Sequence, residues 1–535
     1  MKRYIKLEKV LILIFTCFTL LANAQNPPAN FQNPILPGFS PDPSICRVGD
    51  DYYLATSSFV WYPGIPVYHS KDLVNWKLVG HGITRPSQLD FSRLKDKNGI
   101  WAVTIRHHNG LFYLITTCND CGGNFYITAK NPAGPWSDPV WLKDAPGIDP
   151  SLFWDDDGKC YCTGNTWNFK GTWPKQCAVW MQELDLNQKK LIGEQRMLTY
   201  GHAANATYTE APHLYKIDGK YLLIIAEGGT DKYHSISAHH SNAVWGPYIA
   251  DKINPVLSHR QLGDDYPIQA VGHGDLVQTQ NGEWWATVLG KRVVNKEVPL
   301  SRETFLCRVK FEEGTPLFNP GYGKVLSEQE RPNLPWSPVQ PEADRDAFDS
   351  DSLALKWHFI RTPYKKFFSL KNGHLELATS PEVVDSLVNP AMIVQKIKHH
   401  QFSATTKVSF KTSGDNEQAG LIIYRTNDNY FTLMKDKSNI LLIKKYNGKK
   451  ELIAKVPYTK SEVYLKATAN KLDIDFSFGD SIENLSKIGP TESLVVISES
   501  NLNKFNGPGI GVYASSNGKK SSNKAIFDWF EYKQH

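Results

Sequence analysis

The stretch GFSPDPSICRVGDDYYLATSS, residues 38–58, has a counterpart in GIDPSLFWDDDGKCYCTGN, residues 147–165. Each holds Asp-Pro-Ser, at Asp42-Pro43-Ser44 and Asp149-Pro150-Ser151, followed by an apolar strand-like run, a turn rich in Asp and Gly, and an aromatic run. Three looser copies keep the same order: TIRHHNGLFYLITT from Thr104, EAPHLYKIDGKYLLIIAEG from Glu210 and HGDLVQTQNGEWWATVLG from His273. Their turns fall at Gly49-Asp50, Asn109-Gly110, Asp157-Gly158, Asp218-Gly219 and Asn281-Gly282. Such pairs favour tight hairpins because Asn, Asp and Gly tolerate positive φ. The copies recur at roughly 50–60 residues, the length of a blade of four short strands. Few stretches between residues 30 and 330 have helical periodicity. The expectation is an all-β chain whose residues 27–331 form a five-bladed β-propeller.

In such a ring the innermost strand of each blade lines the axis. Residues at the start of each copy then converge on one cavity: Asp42, Asp149, Glu210 and His273, with Trp101-Ala102-Val103-Thr104 standing in the second blade. Asp before Pro is also a common turn former. Three acids in register with a repeat argue for more, because carboxylates crowded together are costly to bury and usually mark function.

After Asn333 the pattern changes. Pro332, Pro335, Pro338 and Pro341 fall at every third position, which suggests an extended linker over residues 332–345. Beyond it, Phe402, Ala404, Thr406, Val408 and Phe410 alternate, as do Leu472, Ile474, Phe476 and Phe478, and AGLIIYRTNDNYFTLMKD reads as a hairpin around Asn427-Asp428. Residues 346–535 are therefore expected to form an antiparallel β-sandwich.

The chain of 535 residues is too long for one core. Residues 1–24 read as a signal peptide: Lys2, Arg3, Lys6 and Lys9, an apolar run from Val10 to Ala22, and the cleavage site Ala22-Asn23-Ala24. The run is too short for a good membrane span, and Cys17 stands in a poor lipoprotein context, so a soluble exported protein is expected. Of the net charge of +6, the first 24 residues carry four basic groups and one acidic, so +3 remains. That is no footprint for nucleic acid. Without Cys17 seven cysteines remain, an odd number that cannot all pair within one monomer. Cys118 and Cys121 could close a small disulfide in an oxidising compartment. No second CxxC or His pair suggests zinc.

Several motifs in fixed order resemble glycoside hydrolase family 43, in its β-xylosidase and α-L-arabinofuranosidase branch: NPILPGFSPDPSI, YYLATSSFVWYPGIPVYHSKDLVNWKLVGH, TRPSQLD, GIWA, IDPSLFWDDDGK, TEAPHLYK, GHGDLVQTQNGEWWA and RETFL. QAGLIIYRTNDNYF and IFDWFEYK look like that branch's concanavalin-like jelly roll. The resemblance covers almost the whole chain after residue 24. It implies an inverting exo-glycosidase with Asp42 as general base, Glu210 as general acid and Asp149 as the group that orients the acid and raises its pKa. Arg302 and His273 match residues that hold the sugar or a metal, and Trp101 and Phe59 match apolar walls of the sugar pocket. No cofactor is required on this reading, while a structural calcium ion near His273 stays open. The branch's xylosidases carry Trp-Ala-Pro where this chain has Trp101-Ala102-Val103, which leaves xylose and arabinofuranose both open. An endo-arabinanase with the same acids in an open cleft and a non-catalytic sugar-binding propeller are the alternatives. The expected partner is a xylo- or arabino-oligosaccharide, with the oligomeric state undetermined.

Overall fold

The computed structural model describes residues 27–499 and 505–535. The signal-peptide expectation lies outside them. Apart from a single 3-10 turn at Leu494–Ile497, all regular structure among the described residues is strand, and none of them forms a helix long and apolar enough to cross a membrane.

Five antiparallel sheets follow one another along the first part of the chain, each built from one stretch of sequence. Their first strands are Ser44–Val48, Gly99–His108, Ser151–Trp154, Glu210–Ile217 and Ile268–Gln278. Each of these lies against the first strand of the next sheet, and the last returns to the first, so the ring of a propeller is closed. Among the described residues no strand is exchanged between these five sheets. Closure falls instead to Asn30–Gln32, which pairs with Glu328–Glu330, and to the bridge between Leu36 and Thr304.

The strand Lys220–Glu227 shows why these sequences read as continuous apolar runs. It is buried on both faces. Leu222 and Ile224 enter a core with Ile236 and Leu276, while Leu223 and Ile225 enter another with Val179 and Met181. Side chains alternate across a pleated sheet, and here each face meets a neighbouring blade. The predicted turns Gly49-Asp50, Asn109-Gly110 and Asp218-Gly219 are two-residue hairpin connections. Asp157-Gly158 and Asn281-Gly282 lie in longer loops, between Trp154 and Cys160 and between Gln278 and Trp284.

The segment between Glu330 and Arg345 has no strand, and it is tied to the propeller by the Ser337 N–H, which donates to Asp72. The second part of the chain packs a six-stranded sheet against a nine-stranded one. Phe402, Ala404 and Val408, with Ile474 and Phe476, are buried between them. Thr426 faces Asn429 across the Asn427-Asp428 turn.

The two parts are joined by main-chain pairing of Phe359–Ile360 with Trp61–Tyr62. Beside it, buried Asp96 accepts from the Arg361 guanidinium at 2.9 Å, the Tyr424 hydroxyl at 3.1 Å and the Asn427 N–H at 2.9 Å. A buried carboxylate is tolerated when its charge and lone pairs are matched in this way.

Candidate active site

Each innermost strand has a residue in the left-handed region at the same place, just before it or within it. These residues are Asp42 (φ 54°), Ala102 (41°), Asp149 (56°), Ala211 (48°) and His273 (45°). Such a φ costs a non-glycine residue about 1–3 kcal/mol and survives where surrounding contacts enforce it. Bulges interrupt the ladder at three of the five entries, those of Ala102, Ala211 and His273. A bulge frees main-chain groups and re-aims side chains. The Ala211 N–H donates to Asp149 Oδ2 at 3.1 Å, and the Ala102 N–H donates to Ser57 Oγ at 2.7 Å, which donates in turn to Asp42 Oδ2 at 2.7 Å. Two blades thus supply carboxylates, and the blade after each supplies an N–H that holds them. The ring also corrects the expected register. Ala211, rather than Glu210, is equivalent to Asp42 and Asp149, and Glu210 stands one residue earlier, at the position Trp101 has in the second blade.

The three acids share one electrostatic environment with unequal support. Asp42 Oδ1 receives Arg302 Nη1 at 3.2 Å. Burial, then the charge of Asp42, lift Asp149 to about 7, with the Ala211 N–H and Arg302 opposing. Burial and the charges of Asp149 and Asp42 push Glu210 well above the ordinary carboxyl range, and no cation opposes them. The three carboxyls therefore differ in their support: Asp42 has a cation and a hydroxyl donor, and among the described residues Glu210 has neither against its like-charged neighbours.

Arg302 Nη2 donates to the Phe505 carbonyl at 2.6 Å, and its guanidinium lies 5.0 Å from the Phe59 ring and 5.5 Å from the Phe505 ring. Its Nε is buried without a hydrogen-bond partner among the described residues. Glu303, the ordinary surface partner one might assign to Arg302, is instead held by Arg292 at 2.7 Å through both oxygens. Trp101 lies 6.0 Å from Phe59 and 5.9 Å from Phe505, so the three rings and Arg302 make one wall. Phe505 belongs to the second sheet domain and closes this end. Gly507 follows it where an added Cβ would fall 2.0 Å from the Phe39 ring, so only glycine lets the segment approach so closely.

His273 Nδ1 stands 3.9 Å from Asp42 Oδ1, beyond hydrogen-bond reach. Burial lowers its pKa, with Arg302 adding to that and Asp42 opposing. Further along the axis Asp275 collects donors from the first, second and fourth blades. It accepts from Arg106 at 2.7 and 3.1 Å, from the Ser44 hydroxyl at 2.6 Å, from the Ile45 N–H at 3.0 Å and from the Tyr215 hydroxyl at 2.5 Å. Arg106 also meets His213 Nδ1 at 2.9 Å, and Ser151 Oγ lies 3.2 Å from the same nitrogen. Burial drives the His213 pKa down to about 3, so the ring is a neutral acceptor for the guanidinium. Calcium needs six or more oxygen donors. Both oxygens of Asp42 and both of Asp275 are already bound, a guanidinium fills the axis, and the described residues hold no cluster of three His, Cys, Asp or Glu suited to a metal. Among the described residues no carboxylate oxygen beside His273 is left unbound for a calcium ion.

Ser57, Arg106, Asp275 and Phe505 were not singled out from the sequence. Ser57, Arg106 and Asp275 lie inside the quoted motifs, where only a neighbouring residue drew attention. Phe505 has no motif around it.

The closed propeller thus brings buried Asp42 and Asp149 together with half-buried Glu210 at the entries of its innermost strands, a set of carboxyls suited to glycosidic-bond hydrolysis. Glycosyl hydrolases family 43 matches residues 31–316, and the beta-xylosidase C-terminal concanavalin A-like domain matches residues 345–533. A xylosidase/arabinosidase of Butyrivibrio fibrisolvens is 40% identical over 93% of this chain and 98% of its own length. A non-reducing end alpha-L-arabinofuranosidase of Bacteroides ovatus is 38% identical over 96% of each. The crystal structure of a xylan beta-1,4-xylosidase from Bacillus halodurans superposes with a TM-score of 0.89 at 34% identity, covering 94% of this chain and 100% of that one. The chain belongs to glycoside hydrolase family 43 and is a glycoside hydrolase.

Proposed function

We propose that the protein is an exported exo-glycosidase that removes terminal β-D-xylose or α-L-arabinofuranose from plant cell-wall saccharides with inversion at the anomeric carbon. The observation that carries this reading is the unequal support of the three acids. Asp42 accepts from Ser57 and Arg302, while half-buried Glu210 faces two like charges with no cation opposing them.

The terminal sugar enters against Trp101, Phe59 and Arg302. Asp42 takes a proton from a water set between it and the anomeric carbon, and the water oxygen attacks. Glu210 gives its proton to the departing glycosidic oxygen as that bond breaks. Asp149 keeps Glu210 protonated before the step, and its own carboxyl is oriented by the Ala211 N–H. Inversion calls for carboxyls roughly 6.5–9.5 Å apart, leaving room for the water. The bound Asp42 and the axial Arg106 support turnover without a metal. The apolar leader and the Cys118–Cys121 disulfide support export.

Phe505 at the Arg302 end favours a blind pocket over the open cleft of an endo-acting enzyme, and a sugar-binding module has no use for three converging acids. Paired hydrolysis of nitrophenyl β-xyloside and nitrophenyl α-arabinofuranoside tests the reading. Proton NMR in early turnover should show α-xylose first from the xyloside. β-Xylose first would mean that a carboxylate attacks directly.

A further inference from the structure

Arg302 reaches Asp42 from a backbone turn, and the residue before it is the strained one. Ser301 is buried and sits in the left-handed region, with φ 66°. Such a backbone persists where its surroundings enforce it. The Ser301 hydroxyl donates to Glu499 Oε2 at 2.6 Å, and Glu499 belongs to the second domain. The same carboxylate meets Lys291 Nζ at 2.8 Å through Oε1 and Arg425 Nη2 at 3.3 Å through Oε2. All four side chains are buried. Burial would raise the Glu499 carboxyl, but the charges of Lys291, Arg302 and Arg425 outweigh it and hold it down to about 2. The main chain secures the same contact. The Glu499 N–H donates to the Val298 carbonyl at 3.1 Å, and the Val298 N–H donates to Ser498 Oγ at 2.8 Å. The Arg425 carbonyl accepts from Asn506 Nδ2 at 3.0 Å, so Arg425 braces both Glu499 and the neighbour of Phe505.

We propose that Glu499 is a positioning residue for hydrolysis: through Ser301 it fixes the turn that delivers Arg302 to Asp42 and to the terminal sugar. The inference rests on the reading of Arg302 as the cation of the sugar pocket. Docking of the two domains does not by itself call for Glu499. The seam already has the strand pairing at Phe359–Ile360 and the buried Asp96 cluster, and a buried ion pair adds little net stability. Position is what Glu499 adds. Lys291, Arg302 and Arg425 place three cations close together, and the Glu499 carboxylate set among them leaves Arg302 to serve Asp42 at 3.2 Å. Glu303, next in the chain, cannot take this part, because Arg292 holds both its oxygens. The side-chain contacts of Glu499 are to Ser301, Lys291 and Arg425, so its effect on the reaction passes through Arg302.

The test measures kcat and KM on a nitrophenyl pentoside for Ser301→Ala and Glu499→Gln, at temperatures well below each Tm. Ser301→Ala cuts the link and leaves the ion pairs in place, so it decides the matter if Glu499→Gln fails to fold. It should lower kcat/KM roughly three- to tenfold, the worth of one hydrogen bond, and Glu499→Gln should lower it further. The loss should lie in KM more than in kcat, because Asp42 keeps its hydrogen bond from Ser57. In an Arg302→Lys background the same changes should cost less than about twofold, since the group they position is already altered. A loss of equal size in both backgrounds, a loss confined to kcat, or unchanged kinetics in the folded variants refutes the positioning role while leaving the hydrolase reading intact. An Arg302→Lys protein with the KM and kcat of the unaltered enzyme refutes the reading of Arg302 and this inference with it.

Discussion

Arg106→Met removes the cation from the axis while keeping the side chain long and apolar. Asp275 has no exposed surface and would lose two charge-assisted hydrogen bonds, at 2.7 and 3.1 Å, and its one close counter-ion. His213 Nδ1 would lose its donor at 2.9 Å. Breaking a buried pair by removing one partner costs about 3–5 kcal/mol, because the other charge stays buried. At roughly 2–4 °C per kcal/mol for a domain this large, Tm should fall by about 6–20 °C.

The pH dependence gives the argument its sign. In the unaltered protein Arg106 and its neighbours outweigh burial and hold the Asp275 carboxyl well below its ordinary range. A depressed folded-state pKa gives stability that is present above the unfolded value, near 3.9, and is lost only as pH falls further. Without Arg106 burial dominates and the folded-state pKa rises above the unfolded one. The variant then binds a proton on folding, so its deficit should shrink as pH falls from 8 to 5. Thermal melts of both proteins across that range decide it. A loss below about 2 °C, or a deficit that does not change with pH, would refute the axial ion pair as a structural element. Asp275→Asn added to Arg106→Met should recover part of the loss.

Asp42→Asn and Glu210→Gln should each lower kcat on pentose disaccharides by roughly 10²–10⁴-fold, and Glu210→Gln should cost much less on nitrophenyl glycosides, whose leaving group needs little protonation. The alkaline limb of kcat/KM should lie above the ordinary carboxyl range, because burial and two charges keep the proton on Glu210; Asp149→Asn should move that limb to lower pH, as a pH–rate profile will show. Dialysis against a chelator should leave both activity and Tm unchanged. Mass spectrometry of the exported protein should find a chain starting at Gln25.

The repeat was legible because hairpin turns and apolar strands are local. Asn109-Gly110 or Asp218-Gly219 needs no knowledge of the rest of the chain, and five such units in a row restrict the architecture. Asp42 and Asp149 were legible for the same reason, since the phrase around them is repeated. Glu210 was found by its motif although it lies one residue out of register, a shift set by a bulge that no turn residue announces. Phe505 was not legible at all. It reaches Arg302 across 203 residues, and a contact of that kind depends on how two separately folded sheets dock. Arg106 was hidden by its company, because an arginine beside two histidines at a strand end reads as surface. Only closure of the ring places it on the axis.

The same closure explains why the site can afford its left-handed residues. Asp42 and Asp149 sit in αL geometry, and so do the two alanines whose N–H groups serve them. An isolated blade would relax each entry to an ordinary strand and return its N–H to the ladder. In the ring it cannot, because the first strand of each sheet is clamped between two others, and those of the first, second and fourth sheets are tied directly to Asp275. Buried donors with no water available are satisfied by whatever acceptor the geometry leaves, and here those acceptors are Asp149 directly and Asp42 through Ser57. It follows that a loosened axis should change the acids before it unfolds the protein. In Arg106→Met at temperatures well below its Tm, relaxed entries would let water reach Glu210 and weaken the burial that holds its proton. The alkaline limb of kcat/KM should then move toward lower pH, in the same direction as in Asp149→Asn but with Asp149 still present. A limb that stays in place in a folded Arg106→Met protein would show that the strained entries hold themselves, and that the axis contributes stability alone.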